Sequence, residues 1–176
     1  MIDEQFYQLC RTNPEVKFER NATGELIIMP PTGGETGRSN AELTADFVIW
    51  NRQTQLGEVF DSSTCFKLHN GADRSPDVAW IRRDRWETLT LDQKKRFPAI
   101  VPDFVLVMSP ADTLRDTRTK MQEYLENGVK LAWLINPQNR QVEVYRLGKA
   151  VEVLDAPIQL FGEEILPGFV VSLNMG

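Results

Sequence analysis

Asp77 sits in a short apolar run, Ser75-Pro76-Asp77-Val78-Ala79-Trp80-Ile81. A second run follows, Pro102-Asp103-Phe104-Val105-Leu106-Val107-Met108-Ser109-Pro110, and Lys120 lies on a helical pattern after it. An acidic strand, an apolar strand and a lysine-bearing helix form the framework of a metal-dependent phosphodiester-cleaving site. In such a site a divalent ion polarises phosphoryl oxygens and activates water, while an ammonium stabilises developing negative charge or assists proton transfer. An oxygen-loving divalent ion needs at least two convergent carboxylates. The middle of the second strand should supply one of them, and here it offers Leu106 and Val107. Asp116, Lys120 and Glu123 stand at i, i+4 and i+7, so they can share a helix face. Asp116, Glu123 or the nearby Asp112 are therefore candidate replacements for the missing acid.

Each residue also has an ordinary explanation. Asp77 after Pro76 can initiate a strand or cap a turn. Lys120 can be a solvated helix lysine paired with Asp116 or Glu123, and Glu19 can be the polar half of an edge strand. Trp80 and Trp133 lie in apolar strand runs, where packing explains them better than base stacking. Only the constellation lifts Asp77 and Lys120 above these alternatives.

The elements that must position them are legible from periodicity and punctuation. Phe6, Leu9 and Cys10 share a helical face after a capping-competent Asp3. Val16 to Arg20 alternates, residues 21–24 supply a turn, and Glu25 to Met29 pairs back as a hairpin arm. The Pro30-Pro31-Thr32-Gly33-Gly34 stretch reads as a connector, since it lacks the lysine and hydroxyl of a phosphate-cradling loop. Leu43, Phe47 and Trp50 mark a first long helix from Ser39 to about Gln55. Strands are expected near Glu58 to Phe60 and Thr64 to Leu68, and a polar helix over Arg83 to about Arg96. A second long helix spans about Asp112 to Asn127 and stops at Gly128. Lys130 to Ile135 and Gln141 to Arg146 form a hairpin, and alternation around Val151 to Leu154 and Phe169 to Val171 suits added strands or a partner-contacting edge.

Composition narrows the classes. The 176 residues suffice for one well-buried core, and nothing marks a second domain, so one domain over 1–176 is expected. With 41% apolar and 26% charged residues the chain is ordinary for a globular protein, and no run is long enough to cross a bilayer. The N-terminal residues lack the pattern of a secretory signal, and Cys10 and Cys65 make no motif, so a reducing cytoplasm is expected. A single histidine, His69, leaves little material for a structural zinc site or a His-based triad. The net charge of -5 argues against broad affinity for nucleic acid. A local reversal remains: Arg82, Arg83, Arg85, Lys94, Lys95 and Arg96 are either a solvated helix face or a basic rim.

Several linked stretches carry a family resemblance. They are Phe18-Glu19 with Gly24 to Pro30, Ser75-Pro76-Asp77, Pro102-Asp103 leading to Ser109-Pro110, Lys120-Met121-Gln122-Glu123-Tyr124, and Gly128-Val129 through Trp133-Leu134-Ile135-Asn136-Pro137. In order and spacing they resemble the restriction-endonuclease-like Uma-two family of the PD-(D/E)XK nuclease superfamily, over nearly the whole chain. The resemblance implies an α/β (α+β) fold, with a mixed sheet flanked by helices and additional β-hairpins. It also implies Mg2+ or Mn2+ and a DNA substrate. Asp77 matches the metal-binding strand aspartate, Lys120 the helix-borne lysine, and Glu19 an acidic position near the first hairpin. The family's strand glutamate, counted back from Ser-Pro, falls at Leu106; counted forward from Pro102-Asp103, it falls at Val107. The usual strand lysine falls at Met108, so its role passes to Lys120. The expected function is a divalent-metal-dependent endonuclease hydrolysing DNA phosphodiesters, impaired by the replaced carboxylate near Leu106. The alternative is an inactive nucleic-acid-binding or protein-interaction module. A homodimer is expected, with no membrane association and no small-molecule cofactor.

Overall fold

A computed structural model describes residues 1–110 and 113–173. Strands β3 (Gly57–Phe60), β6 (Val78–Arg82), β7 (Phe104–Met108), β8 (Leu131–Asn136), β9 (Gln141–Arg146) and β10 (Glu152–Asp155) form a six-stranded mixed sheet in the order β10-β9-β8-β7-β6-β3. Its strands are near-continuous apolar runs because both faces are covered. One face carries Val78, Trp80, Phe104, Leu106 and Trp133, packed on Leu43, Phe47 and Trp50 of helix α2 (Gly34–Thr54). The same core takes in Leu160, Phe169 and Val171, from or beside the hairpin β11 (Gln159–Phe161) and β12 (Val170–Ser172). The other face carries Ala79, Ile81, Val105 and Val107, packed with Met121, Tyr124 and Leu125 of helix α5 (Leu114–Glu126). β7 and β8 are the parallel pair, and α5 is the crossover such a pair requires.

A second sheet, β2-β1-β5-β4, is built from β1 (Lys17–Arg20), β2 (Leu26–Met29), β4 (Phe66–Lys67) and β5 (Asp73–Arg74). Helix α1 (Asp3–Thr12) sends Phe6 into a small core with Phe18 and Cys65. Asp3 is not a capping residue there. Its carboxylate pairs with Arg20 and Lys67, and buried Asp73 also binds Arg20, so ion pairs tie α1 to this sheet.

Three elements differ from expectation. α2 begins at Gly34, not Ser39, so part of the supposed connector is helical; Gly37 N–H already bonds the Gly33 carbonyl. Those first turns are largely exposed, so no apolar period announces them. Arg83 to Arg96 is not one helix but two short ones, α3 (Arg83–Trp86) and α4 (Leu91–Lys95). Thr90 and Gln93 form a capping box that starts the second. β5 has two residues, too few to show a period.

Gly57 is a position where a side chain cannot be placed. It pairs with Arg82 at the sheet edge, and an added Cβ would collide with the Ile81 carbonyl and the Trp80 indole. Gly57→Ala should therefore cost about 1–3 kcal/mol, the usual range for overpacking. Urea unfolding measures it, and an unchanged midpoint would mean that β3 can shift away.

Candidate functional site

Glu19 lies mid-strand in β1, with Phe18 and Arg20 turned toward α1, so its carboxylate points the other way, toward α5. It is fully buried, and Lys120 Nζ donates to its Oε1 at 2.7 Å. Its Oε2 accepts from the Ser75 N–H at 2.7 Å, and Arg74 of β5 donates to Oε1 at 3.4 Å. Arg74 also grips Glu123 through two bonds, of 3.2 and 2.7 Å. Lys120, Glu123 and Tyr124 share one face of α5, at i, i+3 and i+4, and this face meets β1 and β5. Burial alone would raise the Glu19 pKa. The Lys120 ammonium, the Ser75 N–H and the Arg74 guanidinium outweigh it and hold the carboxyl below the ordinary glutamate value.

Asp77 stands one residue before β6. Its Oδ2 accepts from the Met108 N–H at 2.7 Å and its Oδ1 from Asn40 Nδ2 of α2 at 3.2 Å. Burial raises its pKa, and the Met108 N–H, Lys17, Lys120 and Asn40 only partly offset that. Lys120 acts on Asp77 electrostatically, while its direct ion pair is with Glu19.

The contacts of Asp77 decide which residue stands where a second ligand would be. Val78 pairs with Leu106 in antiparallel β6 and β7, the Asp77 N–H also donates to the Leu106 carbonyl at 3.0 Å, and the Asp77 carboxylate meets Asn40 of α2. Val107 belongs to the core shared with α5, whereas Leu106 is buried in the opposite core with Phe47 and Trp133. The position counted backward from Ser109-Pro110, Leu106, is thus the one beside Asp77, and it is the residue in the vacant ligand's place. By the same alternation Met108 packs on the α2 side.

Of the replacement acids, Glu123 is in the cluster but committed to Arg74, and Asp116 is exposed to solvent. Asp112 lies outside the described residues. Among the described residues no three His, Cys, Asp or Glu side chains converge as a metal site. Two oxygens at the cluster have no hydrogen-bond partner among the described residues, the buried Tyr124 hydroxyl and Asn40 Oδ1, but both are neutral. Among the described residues, a magnesium or manganese ion implied by the family would meet Asp77 as the one carboxylate of the cluster without a cationic partner, and both of its oxygens already accept hydrogen bonds. The donor set does not fit a tightly held divalent ion.

The basic run is placed elsewhere. Arg82 ends β6, about 16 Å of extended chain from Asp77. Arg82 pairs with Asp84, Arg83 with Glu58, Arg85 with buried Asp103, Lys94 with Glu87 and Arg96 with Glu4. Local acids so largely neutralise this run that it serves as a solvated face and not as a rim of the cluster. A groove of about 440 Å³ between β10 and β11, lined by Trp133, Leu154, Leu160 and Phe161, is likewise separate from Asp77. Arg74 is the site residue that sequence reasoning missed; its place directly before Ser75-Pro76-Asp77 was the available signal.

An α5-backed mixed sheet with an aspartate before one strand and a lysine on the crossover helix defines a nuclease-like framework. The chain matches the model of the Uma2 family, described as "Putative restriction endonuclease", over residues 3–175, and it belongs to that family. Among solved structures it is similar to one described as a "putative nuclease belonging to DUF820" from Anabaena variabilis. The two share 18% identity over 92% of this chain and 88% of that one, with a TM-score of 0.75, a likeness of fold. A search of curated proteins gives no match.

Proposed function

We propose that this protein is an endonuclease-family protein that engages DNA phosphates at the Asp77–Lys120 cluster and is impaired in phosphodiester hydrolysis. The observation that carries the reading is Leu106, whose carbonyl accepts from the Asp77 N–H: an apolar residue where a second carboxylate would complete an ion site. Asp77, Lys120 and Glu19 are the site residues, with Asp77 the one carboxylate of the three that is in no ion pair. Lys17 and Lys120 both act on Asp77 and supply the positive potential that phosphates need. The alternative, a binding module that has lost hydrolysis altogether, is favoured by the commitment of both Glu19 oxygens.

Fluorescence anisotropy on a DNA duplex, across a salt series and paired with a Mn2+ cleavage assay, tests the reading. Wild type should bind with a salt-dependent affinity and cleave little. Lys17→Ala should reduce the log–log salt slope by about 0.9, the loss of one phosphate contact, while Arg83→Ala at the far end of β6 leaves it unchanged. Absence of salt-dependent binding would remove the DNA reading, and rapid cleavage by wild type would remove the impairment.

We extend the reading to one domain over 1–176 in a reducing cytoplasm, consistent with the free thiols of Cys10 and Cys65. No helix among the described residues is long and apolar enough to cross a membrane. A homodimer is also proposed, since Ile158, Phe161 and Val170 expose an apolar surface beside the β11–β12 hairpin.

A further inference from the structure

Glu19 and Glu123 bring two negative charges into the cluster, and Arg74 and Lys120 bring two positive ones. Arg74 lies between the two acids: its guanidinium reaches Glu19 at 3.4 Å and Glu123 at 2.7 Å, and its side chain is 8% exposed. Lys120 closes the other side of Glu19. Bridging two carboxylates from different elements, here β1 and α5, is the electrostatic work a divalent cation does in an oxygen-ligand site. A planar guanidinium suits it, because its fixed fork meets carboxylates in the plane. An incoming ion would have to displace a buried arginine and leave that charge without partners, which is strongly unfavourable.

We infer that Arg74, assisted by Lys120, stands in for the divalent cation in this cluster, so that the protein holds its site together without bound metal. Arg74 is thus a positioning residue. It fixes Glu19 and Glu123, and through Glu19 the ammonium of Lys120, beside Asp77. This rests on the same incomplete donor set as the function proposed above, but not on DNA binding.

The test is thermal unfolding of the full chain in EDTA and in millimolar Mg2+ or Mn2+. Wild type should melt at the same temperature in all three, and added Mn2+ should keep its full free-ion paramagnetic resonance signal. Arg74→Gln leaves Glu123 without its ion pair and Glu19 with only Lys120 and the Ser75 N–H, so it should melt lower than wild type in EDTA and be raised by Mn2+. Arg74→Lys keeps the charge and should lose most of that response. Wild type stabilised by Mn2+, with the effect abolished in Asp77→Asn, would overturn the inference. So would an Arg74→Gln protein no more responsive to Mn2+ than wild type. Should Arg74→Gln fail to fold, the resonance titration of wild type decides: an undiminished signal supports the inference and a lost signal refutes it. Protein that ignores DNA yet melts indifferently to ions would end the DNA reading alone. Ion-stabilised wild type that still binds DNA would end this inference alone.

Discussion

Leu106→Glu, and not Val107→Glu, is expected to give this protein measurable Mn2+ binding and to raise any DNA cleavage. The new carboxylate at 106 would stand beside Asp77 on the α2 face, making a pair of convergent acids where wild type has one. Without metal the variant should be several kcal/mol less stable, the usual effective cost of burying an unpaired carboxylate. Saturating Mn2+ should return part of this, about 2.7 kcal/mol at a hundredfold excess over Kd. Val107→Glu places the same charge in the opposite core, with Val105, Met121 and Leu134, so it should lose stability with no recovery by metal. Calorimetric titration with unfolding in EDTA and Mn2+ separates the two. Equal Mn2+ affinity in both variants would show that the face Asp77 meets does not select the ligand position.

Removing the Lys120 charge should have the second large effect. Lys120→Met leaves Glu19 fully buried with only Arg74, at 3.4 Å, and the Ser75 N–H to hold its charge. The loss should be about 3 kcal/mol at neutral pH, the lower end for breaking a buried pair because Arg74 remains. The pH dependence identifies the cause. In wild type the Glu19 pKa is depressed in the folded state, so its contribution is full above the ordinary glutamate value near 4.5 and is lost as pH falls through the folded pKa. In Lys120→Met, burial loses its strongest opponent and the Glu19 pKa should rise above the unfolded value. The sign then reverses, and the variant should regain stability as pH falls through the raised pKa. Asp77, whose pKa is already raised by burial, follows that same sign in both proteins. Lys120 also acts on Asp77, so the difference in urea stability against pH between the two proteins reports Glu19 together with Asp77, both with the same sign. A difference constant from pH 3 to 7 would mean that Lys120 contributes packing and not charge.

Local signals in the sequence determined much of this architecture. The Leu43, Phe47 and Trp50 stripe, Gly128 closing α5 with a positive φ, and the hairpin around residues 136–139 each rest on interactions between near neighbours. The order of Asp77, the apolar strand and Lys120 was likewise written in the chain, and with it the family. Whether Leu106 or Val107 stands in for the lost carboxylate was not. Adjacent strand residues point to opposite faces, so a one-residue ambiguity in counting becomes a choice between two cores, and only the contacts of Asp77 with Leu106 and Asn40 resolve it. The partners of Glu19 were also hidden. Lys120 is 101 residues away and Arg74 is 55, and contacts at such separations leave no periodicity to read. The basic run shows the converse: its charges were plain in the sequence, but their neutralisation by Glu4, Glu58 and Asp103 exists only once the chain has folded them together.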